Sequence, residues 1–80
     1  MSVGTDSNTR ARQVYVRLLE EGTEVFRPTE ALPLGNDLYR VLATTDYDSE
    51  DEVWEFPPGS IIRVVKRRFK DGVFVVAVKQ

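Results

Sequence analysis

Five carboxylates crowd the stretch 46–52: Asp46, Asp48, Glu50, Asp51 and Glu52. Asp46-x-Asp48-x-Glu50 imitates the opening of a calcium loop, in which alternating side-chain oxygens converge on one cation. The imitation stops there. The position such a loop reserves for glycine holds Asp51, and the twelfth, which needs a bidentate glutamate, holds Pro57. A solvated acidic loop is the favoured reading. Paired carboxylates also perform acid–base catalysis, but no nucleophile stands beside these, and the chain has no histidine and no cysteine. No catalytic residue, metal site or cofactor is expected, and the chain reads as a non-enzyme.

A second charged group is basic: Arg63, Lys66, Arg67, Arg68 and Lys70. Arg67, Arg68 and Lys70, with Tyr39 as a stacking platform, have the residue types of a phosphate-contacting stripe on RNA. The competing reading is an edge strand whose lysines and arginines deter pairing with other strands. Net charge is -2, so a global attraction to nucleic acid is missing. Nucleic-acid binding is therefore the alternative rather than the first expectation.

The stronger signal is surplus apolar surface. Val73 to Val78 is apolar on both faces, which one small core cannot easily use. With Asp71-Gly72 as a two-residue type I′ turn, Phe69 faces Phe74, Arg67 faces Val76 and Val65 faces Val78. Arg68 then opposes Val75, and Lys66 opposes Ala77. One face of this hairpin holds Arg63, Val65, Arg67, Phe69, Phe74, Val76 and Val78. An apolar centre with an arginine rim suits a protein interface better than a catalytic pocket.

These side chains must be carried by strands. Alternation of apolar and polar residues predicts strands over 13–19, 24–32, 38–44, 53–56, 60–69 and 73–79. Segment 13–19 also fits a helical stripe, but Val14-Tyr15-Val16 is rich in β-formers and a strand is preferred. Pro28 assigns its strand to an edge or a bulge, and Pro57-Pro58-Gly59 ends another. Trp54 and Phe56 alternate with Val53 and Glu55, which places the two aromatics in the core. Residues 1–12 are small and polar and read as a mobile tail, leaving 13–80 as one domain. The architecture expected is all-β: an antiparallel barrel or half-barrel of five to six strands.

At 80 residues, without disulfides, the chain is near the lower limit for an independent core. No apolar run reaches the roughly 20 residues of a membrane helix, so no membrane partner is expected. Lack of cysteine makes a cytoplasmic setting the default.

Glu21-Gly22-Thr23-Glu24-Val25-Phe26-Arg27-Pro28, followed by Tyr39-Arg40-Val41 and Trp54-Glu55-Phe56-Pro57-Pro58-Gly59, resembles a group of very small, uncharacterised bacterial proteins with E-G-T-x-V-aromatic-R-P and W-x-F-x-P-G signatures. The resemblance spans residues 14–78. It implies a bacterial origin and a stand-alone domain, and transfers no active site. A weaker likeness is to Src-homology-3-like barrels, carried by Ala43-Thr44-Thr45-Asp46-Tyr47-Asp48, Gly59-Ser60-Ile61-Ile62-Arg63-Val64 and Asp71-Gly72-Val73-Phe74. Val73 and Phe74 stand where that fold has paired tryptophans, and no proline-tyrosine segment follows. The likeness therefore implies a small barrel without polyproline recognition. The function expected is a binding or adaptor module that engages another protein or forms a homodimer through its C-terminal hairpin.

Overall fold

The structure, a computed structural model, describes residues 10–80. Most of the predicted tail lies outside the described residues. Six strands follow in order: β1 (Arg12–Leu19), β2 (Val25–Gly35), β3 (Leu38–Val41), β4 (Val53–Trp54), β5 (Ile61–Phe69) and β6 (Gly72–Lys79). The ambiguous first segment is a strand, as its β-branched content favours.

The strands form one mostly antiparallel sheet in which the pairings run in a ring. β1 pairs with β2, β2 with β3, β3 with β5, and β5 with β6. β6 returns to β1 through one parallel bridge, Tyr15 to Val76. The short β4 adds to the far end of β1, where Leu18 opposes Trp54 and Leu19 opposes Val53. Pro28 lies where β2 pairs with β1 but not yet with β3, so its missing N–H costs no ladder bond on the second side.

Alternation feeds one apolar core. Val14, Val16 and Leu18 of β1, Ala31 of β2, Val41 of β3, Trp54 of β4, Ile62 of β5 and Ala77 of β6 are all buried there. Val25, Tyr39, Tyr47, Phe56, Val64 and Val75 pack around them. Trp54 is 3% exposed and meets Tyr47 edge-on, with ring centroids 4.7 Å apart. Thr29, the buried polar residue, donates its hydroxyl to the Leu42 carbonyl at 2.6 Å.

The turn of the last hairpin differs from the sequence expectation. Lys70 and Asp71 form the loop of the last hairpin, with Phe69 opposite Gly72. Only Gly72 has a positive φ there, +138°, so the turn is not type I′. The register is displaced by two residues: Arg67 opposes Phe74, Val65 opposes Val76, and Arg63 opposes Val78. A two-residue displacement preserves which side chains share a face, because the pleat repeats every two residues. The primed geometry occurs instead at Asn36-Asp37, with φ of 55° and 65°, between paired Gly35 and Leu38. Pro57-Pro58-Gly59-Ser60 closes by a bond from the Ser60 amide to the Pro57 carbonyl, with Gly59 at φ +95°. Proline before a positive-φ glycine is the chemistry of a type II turn.

Candidate functional site

Hairpin β5–β6 has two faces with different fates. Ile62, Val64, Val75 and Ala77 point into the core. The other face carries Arg63, Val65, Arg67, Phe69, Phe74, Val76 and Val78, the set expected to meet a partner. The chain covers part of this face itself. Val76 is 3% exposed beside Tyr15 and lies outside the main core, so it is not available for contact. Phe69, Phe74 and Val78 are half-buried, whereas Arg63, Val65 and Arg67 are exposed, Val65 at 42%.

The cover comes from two aromatics that the hairpin pattern does not include. Tyr15 of β1 meets Phe74 edge-on at 5.0 Å between centroids, and Phe26 of β2 meets Phe69 at 5.4 Å. Phe69 and Phe74 are 5.6 Å apart. The rings form a chain in the edge-on and tilted arrangements that aromatic quadrupoles favour. A depression of about 210 Å³ opens among Tyr15, Phe26, Phe69, Asp71 and Phe74. The guanidinium of Arg67 stands 4.8 Å from the Phe69 centroid and 5.9 Å from that of Phe26. Glu24 pairs with it at 3.5 Å. Arg67 is thus a lid on an aromatic patch, its guanidinium over the rings and still exposed to solvent.

This apolar patch accounts for the two-sided character of β6. Val75 and Ala77 serve the core, while Phe74 and Val76 serve the aromatic cluster. No local signal joined Tyr15 and Phe26 to the hairpin, because return of β6 to β1 brings them there.

The residues of the nucleic-acid alternative divide between surfaces. Tyr39 packs at the core, on the side of β5 from which Val64 and Lys66 project. Arg67 belongs to the aromatic face, Arg68 to the opposite face across from Val73, and Lys70 to the turn. Tyr39 shares a cleft with Lys66, not with Arg67 or Lys70.

The acidic loop does not converge on a point, and no cluster of three or more metal-ligating side chains occurs among the described residues. Asp48 is used locally: its carboxylate accepts from the Glu50 amide at 2.9 Å, and its carbonyl accepts from Asp51 and Glu52. Glu52 turns inward. Its Oε1 accepts from Arg27 Nε at 3.1 Å and from Trp54 Nε1 at 2.9 Å, while Oε2 pairs with the Arg27 guanidinium. Glu52 is therefore engaged within its own chain rather than offered to solvent.

No family model, curated protein or solved structure matches this chain.

Proposed function

We propose that the protein is a non-enzymatic binding module that engages another protein, or a second copy of itself, through the outer face of hairpin β5–β6. The observation that carries this reading is the half-covered aromatic patch under Arg67, flanked by exposed Val65. Aromatic anchors beside arginine, at the margin of a domain too small to bury them, have the composition of interface hot spots. In this reading the ring of pairings is a small Src-homology-3-like barrel, and the setting is cytoplasmic, in keeping with a chain free of cysteine.

Sedimentation of the purified chain, together with affinity capture using wild type and Phe74→Ser as baits, tests the proposal. Association or capture that is lost with Phe74→Ser while the variant remains folded supports it. A strict monomer whose captured proteins are unaffected by Phe74→Ser or Val65→Asp overturns it. The RNA alternative predicts a different signature: affinity falling steeply with salt and sensitive to Arg68 and Lys70.

A further inference from the structure

β5 is paired unequally along its two edges. Residues 62–69 pair with β6 without interruption, but β3 pairs only with Ile61 and Ile62. Among the described residues, 63–69 have no strand on the β3 side. The backbone of residues 63–69 thus forms an open sheet edge, at which alternate residues present their N–H and C=O outward, the template used when an extended peptide adds a strand.

A cleft of about 400 Å³ lies against this edge where β3 stops and β5 continues. Val14, Val64 and Val75 supply apolar lining, Tyr39 a phenol, and Arg12 and Lys66 its positive charge. Neither cation forms an ion pair among the described residues. Arg63, Lys66, Arg67 and Arg68 line the edge itself, all exposed.

From this juxtaposition we infer that the β5 edge binds an extended acidic segment of a partner protein, which adds as a strand and lodges one side chain in the cleft. The inference rests on the protein-binding reading above and names the partner's chemistry. Backbone pairing supplies sequence-independent affinity, the valine lining accepts an apolar side chain, and Arg12 and Lys66 select carboxylates on either side of it. A second copy is the wrong occupant. Antiparallel pairing of two such edges would set basic residues against basic residues, which is unfavourable across strands.

The test is a magnetic-resonance titration of the full chain with an end-blocked peptide of alternating glutamate and valine. A second peptide carries N-methyl groups at alternate residues, which removes its donors along one edge. The acidic peptide is expected to shift the amides of residues 63–69, with Arg12 and Tyr39, and to bind more weakly as salt rises. Methylation should abolish binding. Lys66→Glu, an exposed substitution, should weaken it by about tenfold or more. Equal binding of the methylated peptide, or no binding of either peptide, overturns the inference. Shifts confined to Tyr15, Phe26, Phe69 and Phe74 also overturn it, while leaving the aromatic face as the binding surface. A dimer with residues 63–69 protected would show that a second copy takes the edge, against this proposal.

Discussion

Arg27 and Trp54 donate to the same carboxylate oxygen, Oε1 of Glu52, from separate strands. Arg27 lies in β2 just after the Glu-Gly-Thr stretch, and Trp54 ends β4 and opens the Trp-Glu-Phe-Pro-Pro-Gly segment. Glu52, 25 residues after Arg27 in the chain, joins the two. The partly buried carboxylate is engaged at both oxygens, and the arginine approaches through two nitrogens, the geometry that makes charge-assisted bonds strong.

Replacing Glu52 by alanine leaves a half-buried guanidinium and a buried indole N–H without their acceptor. The expected loss in urea denaturation is about 1–3 kcal/mol, with Glu52→Gln intermediate because its carbonyl still accepts. A double-mutant cycle between Arg27 and Glu52 should return coupling of the same sign. Additive losses would mean that the pair contributes nothing of its own.

Trp54→Ala should be the most damaging single change, about 3–5 kcal/mol for a large buried aromatic. In a domain this small that approaches total stability. Near-ultraviolet dichroism of the variant should collapse; a wild-type melting profile would contradict the packing against Tyr47 and Leu18.

The two aspartates in two-residue turns should behave oppositely. Asp37→Val forces a β-branched residue to φ near 65° and should cost about 1–2 kcal/mol. Asp71→Val meets no such demand, because Asp71 lacks a positive φ, and should stay within about 0.5 kcal/mol of wild type. Comparable losses at both positions in thermal melts would restore the primed turn to residue 71.

On the aromatic face, Arg67→Ala exposes Phe69 and Phe26 and removes the Glu24 pair. Because Arg67 and Glu24 are both exposed, stability should change by less than about 1 kcal/mol. Binding of a protein partner should fall much more than stability does. Binding that persists unchanged would remove Arg67 from the interface.

The strands were legible because period-two alternation and turn residues are local properties. Strand 60–69, the core position of Trp54 and the proline-glycine stop before β5 all came from residues within a few positions of one another. The strand expected over 38–44 is shorter, Leu38–Val41, because the chain leaves β3 after Val41 and runs into the acidic loop. The last hairpin kept its faces but not its register, since Asp71-Gly72 satisfies more than one turn geometry and only the paired strands choose between them.

Composition and alternation by themselves determined an all-β chain without histidine or thiol chemistry, with an apolar surplus in its final strand. Tertiary structure decided what that surplus meets. Return of β6 to β1 brings Tyr15 and Phe26 over Phe74 and Phe69, buries Val76 and leaves Val65 outside. It also decided that Glu52 faces Arg27 rather than solvent, and that β5 outruns β3. The reason is one of range: alternation fixes which side of a strand is apolar, whereas sheet twist and ring closure fix which strand lies against that side.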